Sequence, residues 1–551
     1  MSDLVHRRLH APIEDGAALV APPLAAASKL TEHNRGLSAD WRYDCQGRWL
    51  ESMVFSARAE LFAAAKSFTG AYRNSDFAPK LTSATPFMLA GHQPELFHAG
   101  VWFKNFFLSA LARQTKSVAI NLIVDTDLAR KTSIAVPVKD GRERAIENVA
   151  YDASRAAVPY EERAIEDGWL FESFGQRAGE SYETSRVDGH EAYQPLLREL
   201  WGEAAKAAER QGESRRLGLV LAEARHKLEE RFALTTLELP LSRVAQIAEF
   251  RWFAVHLLCQ LPRLWRVYNT ALAEYRQANR IRSNTHPVPA LQEDDDWLEA
   301  PFFVWTKNDP RRRHLFVRQT RLSLFLSDRQ GLELEIDNPG EGKPDQAIEQ
   351  MATAEARGIK IRPRALITTM YARLVLSDLF IHGVGGAKYD ELTDLIIRRF
   401  FGIEPPAYLT ATATFRLPIE RPEVTLADAL RCRLRIREAR YRPESFLRDP
   451  LVIHDAAMQQ RLEALAAEKR DYLARHDLRR APREIFEKLD AMNRAMHALL
   501  RPVEEELCAE QARQVELARQ ARVLGSREFS FVLFPSEILP ARLLDLCKLS
   551  S

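Results

Sequence analysis

Residues 88–127 read MLAGHQPELFHAGVWFKNFFLSALARQTKSVAINLIVDTD, and how this stretch divides decides the fold. TPFMLAG, starting at Thr85, is a short apolar run, AGVWFKNFFLSALARQ is apolar on nearly every side, and SVAINLIVD is a second apolar run. The lengths predict strand, buried helix, strand. Two fully apolar strands joined by a helix predict a parallel sheet covered on both faces, with ligands at the carboxyl ends of its strands. His92 and Asp125 fall at those two ends.

The chain around this unit has 551 residues, too many for one core. Lys and Arg number 78 against 76 Asp and Glu, a net charge of +2, so no overall basic field points to nucleic acid or an anionic membrane as a partner. The apolar stretch GAALVAPPLAAAS follows Glu14 and Asp15 and is broken by Pro22 and Pro23, which suits neither a signal peptide nor a membrane span. A cytoplasmic protein is expected. Cys45, Cys259, Cys432, Cys508 and Cys547 are scattered without C-x-x-C spacing, so each is expected to be a small core residue, and no metal-ligating set is assigned.

Residues 1–80 read as a covering segment and 81–185 as the first part of the core. Residues 186–284 show helical spacing and read as a helical insertion, and 285–424 as the second part of the core, with RLSLFLSD and LELEID forming a hairpin. Within it, residues 361–402 predict helix, short strand (DLFIH), glycine loop and a helix closed by Gly402. Residues 425–525 are rich in Arg, Glu, Ala and Leu. There Ile485, Leu489, Met492, Met496, Leu499, Val503 and Leu507 follow the four-and-three spacing of a coiled-coil seam, with a kink expected at Pro502. Residues 526–551 form a tail containing the strand-like REFSFVLFP.

A helix that follows a strand presents free N–H groups and the positive end of its dipole, which favour an anion. Gly91 and Gly100 allow close approach of a ligand, His92 and His98 supply hydrogen bonds or acid–base chemistry, and Lys104 one turn on supplies charge. The plainer alternative is that one histidine caps the turn and the other is packed. Asp125 and Asp127 share a side of an extended chain, where paired carboxylates hold an ammonium, a hydroxyl or a magnesium ion; the alternative is an Asx-turn. Gly383, Gly385 and Gly386 suit positive φ or close ligand approach, but Lys388 stands where a dinucleotide fingerprint needs glycine. Lys388, Arg362 and Arg364 are candidate anion ligands, with salt bridges as the alternative for the arginines. Arg311, Arg312 and Arg313 beside Asp309 read as locally neutralised charge.

Three places, AGHQPELFHAGVWFKNFF, LIVDTD and RPRALITTMYARLVLSDLFIHGVGGAKYDELTDLIIRRFFG, resemble in order and layout the bacillithiol synthase family of cysteine-adding enzymes. The resemblance implies an α/β chain: a Rossmann-like, nucleotidylyltransferase-like parallel sheet with a helical insertion and a coiled-coil-like arm. It implies a ligase or transferase of thiol metabolism that joins an amino-acid carboxyl to an amine of a sugar conjugate, with ATP or ADP and magnesium as candidate cofactors. By position, Gly91 and Gln93 form one wall of the cleft, Asp125 and Asp127 a second, and Arg362 with Gly383, Gly385 and Gly386 a third. The chain departs from the family in its shorter acidic cluster, which lacks a histidine between its carboxylates, and in having His92 where a less basic residue is expected. The competing expectation is a non-catalytic assembly protein that keeps the core as scaffold and forms a homodimer through the arm.

Overall fold

The computed structural model describes residues 9–140, 143–154, 156–183, 195–478 and 482–549. Its main sheet has six strands: β1 (Ala17–Ala21), β2 (Phe87–His92), β3 (Val118–Ile123), β4 (Leu237–Pro240), β5 (Leu379–His382) and β6 (Tyr408–Thr414). They lie in the order β1-β6-β5-β2-β3-β4. All neighbours are parallel except β1, which closes one edge antiparallel to β6.

The continuous apolar strands are explained by burial on both faces. Phe87, Leu89, Ile120 and Leu122 point into one hydrophobic core, and Met88, Ala90, Ala119 and Ile381 into a second on the other side. Helix α1 (Ala99–Thr115) packs in the second core, where Trp102, Phe103, Phe106 and Phe107 are buried. Full burial of each such ring contributes about 1.5–3 kcal/mol. Helix α2 (Val384–Phe401) lies in the first core through Leu392, Leu395 and Ile396. The two crossovers therefore leave the sheet centre in opposite directions, β2 through α1 to β3 and β5 through α2 to β6. A crevice opens between β2 and β5 at their carboxyl ends, the position where open α/β sheets bind ligands.

A second, wholly antiparallel sheet runs in the order Glu333–Asp337, Ser323–Ser327, Asp309–Gln319, Trp297–Thr306 and Ile359–Pro363, and includes the expected hairpin. The region after 425 forms helices Leu426–Tyr441, Ala456–Ala474, Arg483–Leu499 and Arg501–Leu524 around a separate small core that includes Ile436, Leu462, Met496, Leu500, Val503 and Leu507. The expected kink at Pro502 is a helix break at Leu500, with Pro502 in the first turn of the next helix. Among the described residues, no helix is long and apolar enough to cross a membrane.

Four local expectations change. The helical reading of 186–284 misses β4, whose four residues are too few to show alternation against helical surroundings. REFSFVLFP forms no strand; Ser530 makes an isolated bridge to His98, a 3-10 turn spans Phe531–Leu533, and helix Ile538–Leu549 packs on α1. Its apolar residues serve irregular backbone wedged against Phe97 and Trp102. The N-terminal segment does more than cover, since it supplies β1. Cys508 is exposed and Cys259 and Cys432 half-buried, so only Cys45 and Cys547 are core thiols.

Candidate functional site

One cavity of about 770 Å³ occupies the crevice between β2 and β5. It is lined by Gly91, His92, Gln93, His98, Gly100, Lys104, Asp127, Arg364, Gly383, Gly385 and Gly386 of the sequence candidates. Asp125, Arg362 and Lys388 do not line it.

At the β2 end the histidines are largely consumed by the fold. His98 is the N-cap of α1, its Nδ1 accepting from Gly100 N at 3.1 Å. His92 is buried, its ring edge-on to Phe97 at 4.6 Å, and its Nδ1 has no partner. The plainer alternative, one cap and one packed ring, is what the chain adopts. Burial pushes the His98 imidazole down to about 4 and His92 well below its ordinary range, so both are neutral at pH 7. Burial also pushes the Lys104 ammonium down to about 8, while its Nζ donates to Gly91 O at 2.9 Å.

The two aspartates part company because the strand ends at Ile123. Asp125 N donates back to Ile123 O at 2.8 Å, a tight turn that ends the period-two alternation on which a shared side depends. Asp125 is buried and accepts from Ser242 N at 2.8 Å and Ser242 Oγ at 2.5 Å, and burial, with Glu161 nearby, raises its carboxyl to about 7. Asp127 does reach the cavity, where Gln93 Nε2 donates to it at 3.0 Å and Arg312 Nη1 at 2.8 Å. Burial pushes its carboxyl up, but Gln93 and Arg312 outweigh that and hold it below its ordinary value.

The arginine pair also divides. Arg362 is buried and clamped by Glu161 (Nε to Oε1, 2.9 Å) and Glu355 (Nη2 to Oε1, 2.7 Å), an interior ion pair away from the cavity. Arg364, on the other side of Pro363, donates Nη1 to Glu299 Oε1 at 2.6 Å and faces the cavity. Lys388 is exposed on α2, where the Tyr275 hydroxyl donates to its carbonyl at 2.8 Å.

The expected glycine loop is the first turn of α2. Gly383 is its N-cap with φ −81°, no side chain caps it, and neither Gly385 nor Gly386 has positive φ. Close approach, rather than left-handed backbone, explains Gly386 alone, where a Cβ would lie 2.7 Å from His382 Nδ1; a Cβ at Gly383 or Gly385 would meet open space. Gly383, Val384, Gly385 and Gly386 of this turn line the cavity.

Sequence reasoning missed His382, Arg312, Arg527 and Glu528, all cavity residues. His382 ends β5, just as His92 ends β2, but their adjacency depends on strand order, which no local pattern carries. Arg312 sits in a strand, where alternation separates it from Arg311 and Arg313; those two pair with Asp309 as expected, and Arg312 turns over Phe303 at 4.1 Å to reach Asp127. Arg527 and Glu528 arrive on the misread C-terminal segment.

Among the described residues the cavity holds no cluster of three metal-ligating side chains. His226, Glu229 and Glu238 have such spacing elsewhere, but Arg225 donates to both carboxylates and the ring nitrogens of His226 bond Tyr72 and Thr236. Compared with known proteins, the chain matches no family model and no curated relative.

Proposed function

We propose that the cavity binds a small anionic substrate, its phosphate or carboxylate at the start of α2 and its amine beside Asp127, and that the chain forms C–N bonds between a carboxyl and an amine. The observation that carries this reading is an uncapped, glycine-built helix start in the same cavity as Arg364, at the point where the two crossovers diverge. A volume of about 770 Å³ suits a metabolite-sized ligand. The reaction class follows from the resemblance: a cysteine-like carboxyl joined to a sugar-conjugate amine. A nucleotide fits as carboxyl activator, its phosphates held by the Gly383–Gly386 turn and Arg364. No step is assigned to magnesium. Asp127 orients the ammonium, and Lys104 and Arg312 set a positive background that favours the anion.

The test is a thermal-shift titration with ATP, ADP and AMP, with and without magnesium, on the unaltered chain and on Gly385→Asp. A new Cβ there meets nothing, and a carboxylate in the first helical turn favours the helix while occupying the anion's place. Concentration-dependent stabilisation lost in the variant is expected; equal shifts in both proteins sink the reading. Amide formation from cysteine and an amino sugar conjugate is then assayed directly.

A second reading, self-association through the arm, draws on one observation. Leu426, Leu430, Leu434 and Tyr441 form a single exposed stripe on helix Leu426–Tyr441, each at least half exposed. Sedimentation of Leu430→Glu/Leu434→Glu against the unaltered chain decides it: a dimer converted to monomer supports this reading, and a monomer throughout removes it.

A further inference from the structure

Three imidazoles line the cavity, and two are poorly placed to move protons. His98 spends Nδ1 on its helix cap, and His92 is enclosed without a carboxylate to hold its ring. The third has what they lack. His382 Nε2 lies 2.5 Å from Asp390 Oδ2, an ion-pair contact without the in-line geometry of a hydrogen bond, and Asp390, one and a half turns into α2, is completely buried. Arg373 Nη1 holds the same Asp390 Oδ2 at 3.0 Å and Arg373 Nη2 reaches Asp394 at 2.6 Å, so the carboxylate is fixed from two sides. Phe380 and Tyr408 pack on the His382 ring at 4.6 and 5.0 Å and set its plane. Among the described residues nothing bonds Nδ1, which lies against Gly386 at the mouth of the α2 turn; only glycine leaves room for it there.

From this geometry we infer that His382, oriented by Asp390, is the proton acceptor of the cavity. The inference rests on the reading of the cavity as a substrate site. A carboxylate against Nε2 favours the proton on that nitrogen and leaves the Nδ1 lone pair beside Gly386, in a ring that lines the cavity, the division of labour of a histidine–aspartate pair in nucleophilic catalysis. An incoming ammonium or hydroxyl gives its proton to Nδ1. Its N–H or O–H bond breaks, its electron pair stays on the nucleophile, and the imidazolium formed is balanced by Asp390. The charged and titratable groups around the ring are Asp390, Asp394 and Arg373 on the α2 side and the Tyr408 hydroxyl, which donates to Ala387 O. Although burial pushes the Asp390 carboxyl up, His382 and Arg373 hold it well below the usual carboxylate range, so the counter-charge persists across the working pH range.

Two measurements on the full-length protein test this. Histidine-selective ¹⁵N labelling, with His382 assigned from the signal missing in His382→Asn, reads the tautomer. A protonated Nε2 and an unprotonated Nδ1 are expected, and the opposite tautomer overturns the inference. Carbethoxylation by diethyl pyrocarbonate, mapped by peptide mass spectrometry, reads access to Nδ1, with exposed His286 as the reactive reference and fully buried His226 as the inert one. His382 is expected within tenfold of the His286 rate, with that rate falling at least tenfold in Asp390→Asn. A His382 as inert as His226, or a rate unmoved by Asp390→Asn in a folded variant, overturns it. Neither readout needs a bound anion, so the fate of the Gly385→Asp test is separate from the fate of this one.

Discussion

The two strand–helix units that flank the crevice share a topology and differ at the helix start. The start of α1 is filled from within: His98 caps it, and a side chain at Gly100 would sit 2.2 Å from the Ala413 carbonyl and 2.7 Å from Arg527. The start of α2 has no side-chain cap, and its Gly383 and Gly385 border open space. Helix dipoles and free N–H groups exist at both, so those features alone do not make an anion site. What distinguishes the two is whether the chain's own groups have already taken the place.

Substitutions at the paired positions put numbers on that contrast. Gly100→Ala should be the most damaging, with about 3 kcal/mol lost, because the clash is with backbone that cannot rotate away; a denaturant midpoint unchanged from the parent would show that the α1 start is looser than described. Acid comes next. In the unfolded chain His98 titrates near its ordinary 6.5, and in the folded chain only at about 4, so between those values the unfolded state binds more protons. Stability should therefore fall as pH drops from 6.5 towards 4, by of order 1 kcal/mol per pH unit, and His92 acts in the same direction. His98→Ala should flatten that acid limb, measurable by urea melts at pH 4.5 and 7. At pH 7 the same variant loses the α1 cap, about 1 kcal/mol. Gly385→Ala should reverse the sign: with open space around the new methyl and helical backbone already in place, a gain of about 0.5–1 kcal/mol is expected. A loss there would mean that the α2 start is not free.

Much of this arrangement could be read from the chain. The 88–127 stretch gave strand, helix and strand because apolar runs of those lengths have few alternatives, and Gly402 stopped α2 where a left-handed residue was expected, with φ 68°. The failures share a cause: each needed information from outside its own segment. Asp125 and Asp127 were placed together on the premise that the strand continued, and the turn at Ile123 defeats it. Arg362 and Arg364 look equivalent either side of Pro363, but their partners divide them: Glu355, seven residues back, and the distant Glu161 hold one, and Glu299 on the neighbouring strand holds the other. His382 acquired meaning only when β5 was found beside β2. Arg312 was hidden in a basic triplet until strand alternation split it from its neighbours.

The crevice between β2 and β5 has a bearing on how such a protein can change over generations. Its walls come from separate stretches of chain: the β2 turn, the Asp309–Gln319 strand, the α2 start and the Arg527–Glu528 segment. The Arg527–Glu528 segment is wedged against the β2 turn, so those two walls are tied together, whereas drift in the Asp309–Gln319 strand, such as loss of Arg312, alters the lining without dismantling the rest. Change can then proceed unevenly around the crevice, while the narrow tolerance at Gly386 keeps the imidazole beneath it in place.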